Sequence, residues 1–453
     1  MTLMSYQEAL DWIHGIGKST VIHPGLERIQ TLLDKMGNPE RSLNCIHIGG
    51  TNGKGSTAAM LASVLEEAGY RIGLYTSPYL ESFTNRMSIN GEDITPEELA
   101  REVSQLRPLV EEVSRYSGQG KVTEFEVVTA LAFRFFAARQ PDLVILEVGL
   151  GGRFDATNVI SPLVSVITNV SLEHMDYLGN NVKDIAWQKA GIVKEEVPLV
   201  SASEDKEVIK VLREVCAKHN APFYRLVSGN NNGNFNDAET IIEYGERKIV
   251  HGGQTFNYYG LKNNYRDLFI PLIGKHQVAN AATVLAVLEK LGDTDRFKIN
   301  DYSIKEGLRK VKWPGRLEIL HKNPLVVLDG AHNPDAIEKL AEAIKEHFNY
   351  RRLILVLGIL KDKDAAQMLG FLLPLSHEVL VAVPPIFRGA DPENIASKVR
   401  QISPLPVEKF SQVENALVKA LERASTEDMI LVCGSLYMVA EARKYLLGSF
   451  TNS

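Results

Sequence analysis

The chain has 453 residues, of which 45% are hydrophobic and 23% are charged, so it can form two or three globular domains with sizeable cores. Its formal net charge of −6 disfavours nucleic acid as a partner, because no broad cationic surface is implied. Three widely separated cysteines, and the lack of any apolar run of about 18 residues, predict a cytoplasmic protein without a membrane span.

Short apolar runs recur along the chain and alternate with glycine-rich turns and helical patterns. The N-terminal stretch, residues 1–17, has an interrupted amphipathic helical pattern and is not typical of a signal peptide. Such alternation predicts parallel sheets covered by helices. The predicted strands are residues 45–48, 143–146, 164–167, 325–328, 353–357, 379–383 and 429–433, and the predicted helices include residues 56–68, 278–291 and 334–347.

The segment after the first strand, residues 49–57, gives the strongest functional signal. Its glycines let backbone N–H groups turn toward an anion, and the helix that follows carries positive partial charge at its N-terminus. We therefore predict a site for nucleotide phosphates, with Lys54 at the terminal phosphates. The match to the GxxxxGK[ST] pattern is imperfect, since three residues rather than four separate the two glycines and Gly55 follows Lys54. A plain glycine-rich strand-to-helix turn is the alternative.

Polar side chains follow three further predicted strands. Ser77 comes just past a short strand, and Glu147 ends the next one. Glu173, His174 and Asp176 follow a third. Open α/β sheets bind ligands at this edge, and a carboxylate beside a phosphate loop suits Mg²⁺ or an ordered water. The alternatives are an ion pair with a nearby arginine for the carboxylate and a purely structural role for the histidine.

The middle of the chain predicts the domain boundary. The asparagine-rich stretch at residues 228–237 is typical of a loop or hairpin tip, and a β-like stretch follows at about residues 240–271. A polar joint at residues 292–298 follows the helical pattern. We place the boundary there, which gives an N-terminal domain of residues 1–296 and a C-terminal domain of residues 297–453.

The second half repeats the arrangement of strand, carboxylate, tight turn and helix. Asp329 follows an apolar strand, His332 lies in the turn, and Pro334 suits a first helical turn. Both polar residues are expected at the ligand edge of the sheet. Alternatively, Asn333 only caps the helix. Upstream, the turn at residues 313–316 presents the guanidinium of Arg316.

Together these motifs resemble the folylpolyglutamate synthases, the folate branch of the Mur ligase superfamily, some of which are also dihydrofolate synthases. The resemblance runs from residue 6 to about residue 437. It rests on the ordered segments GTNGKGS, YTSP, TEFE, LEVGLGGRFDATN, NVSLEHMDYLG, QKAGI, GKHQVANAA, WPGRLE and DGAHNP. It implies a mostly parallel α/β domain of the P-loop type, then a smaller Rossmann-like α/β domain, with the active site between them in a monomer.

The resemblance also implies roles for individual residues. The implied ATP-binding residues are Asn52, Gly53, Lys54, Gly55, Ser56, Thr57, Asn280, Arg316 and Asp329, with His332 near the transferred phosphate. The implied Mg²⁺ ligands are Ser77, Glu147 and His174. Lys189, which by pattern alone is a solvent-exposed helix lysine, corresponds to a lysine that is carbamylated in the family and holds a second cation. A monovalent cation is a further implied cofactor.

The implied residues for the pterin substrate are Arg86, Thr123, Glu124, Phe125, Glu126, Phe154, Asp155 and Ala156. Where the family commonly has glutamate before this arginine, the chain has Asn85. The asparagine-rich stretch near residue 230 is particular to this chain. The first departure concerns a region in which substrate contacts are expected to differ.

The implied reaction is the ligation of L-glutamate to the γ-carboxylate of a folylpolyglutamate. ATP converts the carboxylate to an acyl phosphate, and the α-amine of glutamate then attacks it. Ligation to dihydropteroate is an expected second activity. Three other classes stay open: a cell-wall amide ligase, disfavoured because the phosphate loop begins by residue 49; a small-molecule kinase; and a non-catalytic nucleotide-binding regulator, disfavoured by Glu147, His174 and Asp329.

Overall fold

A computed structural model describes residues 3–19, 24–116, 120–229 and 239–450. The asparagine-rich stretch predicted as a loop lies outside the described residues from position 230 onward. The strands are β1 (Cys45–Gly49), β2 (Ile72–Tyr75), β3 (Met87–Ile89), β4 (Glu92–Asp93), β5 (Leu143–Glu147), β6 (Val164–Ile167), β7 (Leu199–Ser201), β8 (Phe223–Ser228), β9 (Thr240–Val250), β10 (Gly253–Tyr259), β11 (Asn264–Ile270), β12 (Glu318–Lys322), β13 (Leu325–Leu328), β14 (Leu353–Leu357), β15 (Glu378–Ala382), β16 (Val407–Phe410) and β17 (Met429–Cys433).

Helices cover both sheets. The α-helices are α1 (Tyr6–Ser19), α2 (Glu27–Lys35), α3 (Lys54–Glu67), α4 (Pro96–Tyr116), α5 (Glu124–Arg139), α6 (Met175–Leu178), α7 (Val182–Lys189), α8 (Lys206–Lys218), α9 (Lys275–Gly292), α10 (Asp301–Lys310), α11 (Pro334–His347), α12 (Ala365–Leu372), α13 (Pro392–Ile402), α14 (Val413–Arg423) and α15 (Leu436–Phe450). Short 3-10 helices span Pro39–Ser42, Phe83–Arg86, Ala156–Val159, Ala190–Ile192 and Leu373–Leu375. No helix in the described ranges is both long and apolar enough to cross a membrane.

The larger sheet has eleven strands in the order β11-β10-β9-β8-β7-β6-β1-β5-β2-β3-β4. Pairing from β9 through to β2 is parallel, whereas the strands at both edges pair antiparallel. The central strand β1 is buried along its whole length, as expected when helices cover both faces of a parallel sheet. Ile46 and Ile48 face one core, and Cys45 faces the other, because strand side chains alternate between faces.

The smaller sheet has six strands in the order β12-β13-β17-β14-β15-β16, with only β12 antiparallel to its neighbour. Val327 packs in the core beneath α11, whereas Val326 and Leu328 face the core beneath α14 and α15. The predicted fold class is confirmed: a large, mostly parallel α/β domain precedes a smaller α/β domain. We call these the large-sheet and small-sheet domains.

The segment between the two sheets bears on the proposed boundary at residue 296. Helix α10, which follows that position, packs on α3 of the large-sheet domain. The approach is so close that a Cβ on Gly307 would overlap the backbone of Val64. The two sheets are thus linked by a segment that is itself attached to the large-sheet domain, and the division at residue 296 stays a proposal.

Candidate active site

A cavity of about 960 Å³ lies between the two sheets. Residues at the carboxyl ends of β1, β2, β5 and β6 border it on one side, and the turn between β13 and α11 borders it on the other. This is the edge at which open α/β sheets bind ligands. The cavity brings together most of the sequence-predicted residues: Asn52, Gly53, Lys54, Gly55, Ser56, Ser77, Glu147, His174, Lys189, Asn280, Arg316, Asp329 and His332.

The phosphate loop, residues 50–56, requires glycine where its backbone meets its neighbours. Gly53 has a φ of +85°, and a Cβ there would lie 2.5 Å from Oδ1 of Asn280. Gly50 has a φ of +137°, and a Cβ there would overlap the hydroxyl of Thr168. Helix α3 begins directly after Gly53 without a side-chain cap. Its first backbone N–H groups therefore lack partners within the helix and suit an anion.

The off-pattern Gly55 has a packing reason. A Cβ at this position would lie 2.9 Å from Cζ2 of Trp313, so only glycine leaves room for the indole. Lys54, just before it, donates from Nζ to the carbonyl oxygens of Gly50 at 3.1 Å and Thr51 at 3.0 Å. The ammonium group thus lies over the loop at the place where terminal phosphates are expected.

Helix α9 closes one side of the loop through a short polar chain. Nδ2 of Asn280 donates to Oε1 of Gln277 at 3.0 Å, and Nε2 of Gln277 lies 3.3 Å from Oγ of Ser56. Thr57, predicted to bind the nucleotide, is fully buried behind the loop and does not line the cavity. Among the described residues, its hydroxyl has no hydrogen-bond partner.

Lys189 is almost completely buried, with 1% of its surface exposed, so the solvent-exposed helix lysine predicted by pattern alone is wrong. Its Nζ donates to Oε1 of Glu173 at 2.8 Å and to the carbonyl oxygen of Gly50 at 2.9 Å. Burial lowers the pKa of Lys189, against the opposing charge of Glu173. Burial would raise the pKa of Glu173, but Lys189 and then Lys54 outweigh it and lower that pKa to about 2.

Glu147 and Ser77 offer an oxygen-rich corner beside the phosphate loop. Oε2 of Glu147 accepts the backbone N–H of Ser77 at 3.2 Å. Burial raises the pKa of Glu147, and Lys54 opposes that rise. In the described part of the chain, no three His, Cys, Asp or Glu side chains form a metal-binding group. Mg²⁺ commonly takes one or two carboxylates together with waters and substrate phosphates, so this corner fits it.

His174 lies at the N-terminal end of α6 with a φ of +47° and borders the same cavity. Burial lowers the pKa of His174, and the charge of Lys363 from the small-sheet domain lowers it further. The imidazole is therefore neutral near pH 7, which is the form that can ligate a metal.

Across the cavity, Asp329 directly follows β13 and accepts two backbone N–H groups at 2.8 Å each. Burial raises the pKa of Asp329, opposed by the guanidinium of Arg316. Nδ1 of His332 lies 2.9 Å from the carbonyl oxygen of Gly330, and burial lowers the pKa of His332 to about 4. Because a carbonyl can only accept, Nδ1 carries the proton of a neutral ring and Nε2 is an acceptor.

The residues expected to bind the pterin substrate do not line this cavity. Thr123 and Glu126 form a reciprocal capping box at the start of α5, at 2.7 and 3.2 Å. Glu126 is also buried against Arg28, with Nε–Oε1 and Nη2–Oε1 distances of 3.1 and 3.0 Å. Both side chains of the box are therefore engaged within the protein.

Two other expected substrate residues reach the cavity wall indirectly. The Phe125 ring packs where a Cβ on Gly149 would be, and Oδ2 of Asp155 accepts the backbone N–H of Leu150 at 2.8 Å. Gly149 and Leu150 themselves line the cavity. Of the remaining residues, Glu124 faces His14 at 3.5 Å, Phe154 is exposed, and Ala156 is buried.

Arg86 is the last residue of the 3-10 helix Phe83–Arg86 and lies over the rings of Tyr79 and Phe83, at 5.2 Å from each ring centre. Asn85, which replaces the family's usual glutamate, completes a capping box with Ser82 and donates to Asp93 at 2.5 Å. The departure from the family pattern therefore has a local structural role here.

A buried polar chain leads to Asp155 from the middle of β1. Nε2 of His47 lies 2.7 Å from Oγ1 of Thr157, which donates to Oδ1 of Asp155 at 2.5 Å. Since Thr157 has one hydroxyl proton and gives it to the carboxylate, His47 must donate from Nε2. Sequence reasoning missed His47, because a histidine inside an apolar strand gives no signal of its partners.

Three further residues in or beside the cavity were missed or left without a role. Glu173 was noted as polar but not assigned to Lys189, Trp313 was not assigned to the phosphate loop, and Asp335 was not singled out. For Glu173 the signal was present, since it follows the same strand as His174. The partners of Trp313 and Asp335 depend on how the two domains pack against each other. The spacing of residues in the sequence does not reveal that packing.

The sequence matches two family descriptions over most of its length. Residues 48–288 match the Mur ligase middle domain, and residues 315–436 match the Mur ligase glutamate ligase domain. A dihydrofolate synthase/folylpolyglutamate synthase of Bacillus subtilis is 39% identical over 444 residues, covering 98% of this chain and 99% of that protein. The Escherichia coli protein of the same name is 32% identical over 444 residues, covering 98% and 95%.

Solved structures of two proteins with related names are also similar to this chain. Mycobacterium tuberculosis folylpolyglutamate synthase complexed with ADP superposes with a TM-score of 0.87 at 33% identity, covering 97% of this chain and 98% of that chain. Escherichia coli FolC in complex with DHPP and ADP superposes with a TM-score of 0.85 at 29% identity, covering 99% of each chain. The resemblance found from the ordered motifs is thereby confirmed.

Proposed function

The chain belongs to the Mur ligase family, in its branch of folylpolyglutamate and dihydrofolate synthases, and we propose that it joins L-glutamate to a folate-type carboxylate using ATP. It is an ATP-dependent ligase that forms carbon–nitrogen bonds. One observation carries the proposal: Lys54 and Lys189 both donate to Gly50 of the phosphate loop, and this loop shares a cavity with the turn of Asp329 and His332.

The proposed chemistry has two steps. A carboxylate oxygen of the folate attacks the γ-phosphorus of ATP, the bond to the bridging oxygen breaks, and ADP leaves. The α-amine of glutamate then attacks the acyl carbon, phosphate leaves, and the amine loses a proton. Lys54 and the N-terminus of α3 neutralise charge on the moving phosphoryl group, so the protein contributes mainly positioning and electrostatic stabilisation.

We assign the Mg²⁺ site to Glu147 and Ser77, with His174 nearby. The carboxylate is buried, borders the cavity and ends the strand beside the phosphate loop. Bound Mg²⁺ would supply charge neutralisation at the phosphates. Glu147 and Ser77 offer oxygen atoms, whereas His174 offers a nitrogen. His174 is therefore the least suited of the three as a ligand for Mg²⁺, which prefers oxygen.

The carbamylation of Lys189 also belongs to this proposal. Carbamylation requires a neutral amine, and burial, which lowers the pKa of Lys189, favours that form. A carbamate would carry negative charge beside Glu173, which now lies 2.8 Å from Nζ. Two adjacent anions in a buried site require a cation between them, so the modified site would hold a second Mg²⁺ or a monovalent cation.

We place the pterin end of the folate near Phe125 and Asp155, on the far side of the wall formed by Gly149 and Leu150. Acceptance of dihydropteroate as a second substrate is part of the proposal. The protein is further proposed to act as a cytoplasmic monomer, because one chain supplies the whole cavity and its three cysteines are buried free thiols. Size-exclusion chromatography with light scattering tests the monomer.

The deciding experiment supplies MgATP, labelled L-glutamate and either tetrahydrofolate or dihydropteroate to the purified protein. We expect labelled amide product and ADP in equal amounts, with ADP release dependent on glutamate. A small-molecule kinase, the alternative, would release ADP without glutamate and make no amide. ADP release without any amide product, for every folate or pteroate tried, would refute the ligase proposal.

A further inference from the structure

Asn52 of the phosphate loop makes direct side-chain contacts with the small-sheet domain. Its Nδ2 donates to Oδ2 of Asp335 at 2.6 Å and lies 3.3 Å from Oδ1 of Asn333. In return, Nδ2 of Asn333 donates to Oδ1 of Asn52 at 3.0 Å. Two amides that are 281 positions apart in sequence therefore bond to each other across the cleft.

The backbone of Asn52 is also engaged, on the side of the large-sheet domain. Its N–H donates to Oδ1 of Asn169 at 2.8 Å, and its carbonyl oxygen accepts from Oγ1 of Thr168 at 2.7 Å. Every polar group of Asn52 thus has a partner within the protein. A residue dedicated to a phosphate would instead leave a donor for the ligand.

Asn333 is held equally firmly on its own side. Its Oδ1 accepts the backbone N–H of Ala336 at 2.8 Å and so caps α11. Asp335, in the first turn of the same helix, is fixed by Lys339 at 2.8 Å. The residues that meet Asn52 are therefore pre-positioned, which reduces the conformational entropy lost when the contact forms.

The far end of α11 contacts the large-sheet domain as well. Glu346 pairs with Arg247 at 2.8 Å and with Lys275 at 2.6 Å. Helix α11 is thus attached to the large-sheet domain at both ends. Only its N-terminal attachment reaches the phosphate loop, and this same end directly follows His332 in the chain.

We propose that Asn52 and Asn333 act as a pair of positioning residues that hold the phosphate loop in register with the turn of Asp329 and His332 while the acyl phosphate is present. The inference rests on the ligase function proposed above. Loosening this pair would let the domains separate while the intermediate is bound, and water would then compete with glutamate for the acyl carbon.

The test uses Asn333→Ser in the full-length protein with MgATP, glutamate and the folate that serves the wild type. Serine keeps an N-cap but is too short to reach Asn52. We expect the kcat for amide formation to fall by roughly 10–100-fold, as for a misplacement of about 1 Å. ADP should be released in excess over amide, with the KM for ATP unchanged. A purely structural role would lower ADP and amide together.

Two further variants make the result decisive. Asn333→Asp also keeps the cap but cannot donate to Asn52, so it should uncouple ADP release in the same way. Glu338→Gln changes an exposed residue of the same helix and should behave as the wild type. Asn52→Ala combined with Asn333→Ser should be no worse than the more affected single variant, because the two residues act as a unit.

The outcomes separate this inference from the function on which it rests. If the wild type forms no amide, the ligase proposal fails. If the wild type forms amide and ADP in equal amounts, and Asn333→Ser and Asn333→Asp do the same at the wild-type rate, the positioning pair is refuted while the ligase stands. Additive effects in the double variant would also contradict the pair.

Discussion

The Nζ of Lys189 lies 2.8 Å from Oε1 of Glu173 and 2.9 Å from the carbonyl oxygen of Gly50, so a buried ammonium joins a carboxylate to the phosphate loop. The pair is part of the cavity wall. A lysine that only stabilised the fold could form an ion pair with a carboxylate away from the phosphate loop. Its contact with the loop that is expected to hold phosphate makes it a candidate for a direct part in catalysis.

The first prediction concerns Lys189→Ala. Loss of one electrostatic group at a charge-developing centre costs about 2.7–4 kcal/mol, so we expect kcat for amide formation to fall by roughly 10²–10³-fold. Measuring kcat with saturating substrates tests this. Lys194→Ala is the control, since Lys194 is a partly buried lysine of the same domain whose Nζ donates to the carbonyl oxygen of Asn158, outside the cavity.

A spectroscopic measurement tests carbamylation separately. Protein equilibrated with carbon-13 bicarbonate should give one carbamate signal that disappears in Lys189→Ala. Wild-type activity in Lys189→Ala would contradict the catalytic role, and absence of the signal in an active wild type would contradict the modification alone.

The second prediction concerns Glu147→Gln. The carboxylate is the charged oxygen ligand of the proposed Mg²⁺ site, and glutamine keeps the shape while removing the charge. We expect the Mg²⁺ concentration for half-maximal ADP release to rise by at least about tenfold, which corresponds to about 1.4 kcal/mol. Ser77→Ala should shift it less, because a hydroxyl is a neutral ligand. An unchanged Mg²⁺ dependence in Glu147→Gln would exclude this residue as a ligand.

Much of the fold could be predicted because the central strands are buried on both faces. Apolar runs then coincide with strands, and β6 and β13 begin and end where the sequence predicted. Helix α11 also matches its prediction at both ends, since proline marks its start. Short or partly exposed strands such as β7 and β16 lack such a run and were not predicted.

The position of a site residue could be predicted where it depends on the end of a single strand. It could not be predicted where it depends on contact between two distant segments. Glu147 ends an apolar strand and Asp329 directly follows one, so their place at the sheet edge could be inferred. The burial of Lys189 depends on how α7 packs on the phosphate loop, and the contact of Asn52 with Asn333 depends on how the domains meet. Local patterns hold no information about either arrangement.

The third prediction concerns pH and Asp428, a buried carboxylate that accepts from Arg352 at 2.8 Å and from the backbone N–H of Ser425 at 2.9 Å. Burial would raise the pKa of Asp428. These two donors, together with Arg351, outweigh burial and hold that pKa below its ordinary value. A lowered folded-state pKa stabilises the protein above the unfolded pKa of about 3.9, and this stabilisation is lost as the pH falls toward the folded value.

Asp428→Asn should therefore lower the free energy of unfolding by about 1.5–3 kcal/mol near pH 7, the typical worth of hydrogen bonds to a charged group. The difference from the wild type should shrink as the pH falls below about 4. Denaturant unfolding at several pH values measures it. Glu427→Gln, at the exposed neighbouring position, is the control and should show no difference. A deficit in Asp428→Asn that did not change with pH would contradict the role of its charge.

The last prediction separates two roles for Glu126. The family resemblance implies a substrate contact, whereas the structure engages both of its oxygens, with Arg28 at 3.1 and 3.2 Å and with the Thr123 N–H at 2.7 Å. Glutamine removes the charge-assisted hydrogen bonds between this carboxylate and Arg28, and hydrogen bonds to a charged group are typically worth about 1.5–3 kcal/mol. We expect Glu126→Gln to lower the free energy of unfolding by about this amount and to leave the KM for folate nearly unchanged, as measured on the folded fraction.

Glu124→Gln, two positions earlier and partly exposed, is the control and should leave the free energy of unfolding unchanged. A raised KM with wild-type stability in Glu126→Gln would instead identify the carboxylate as a substrate contact.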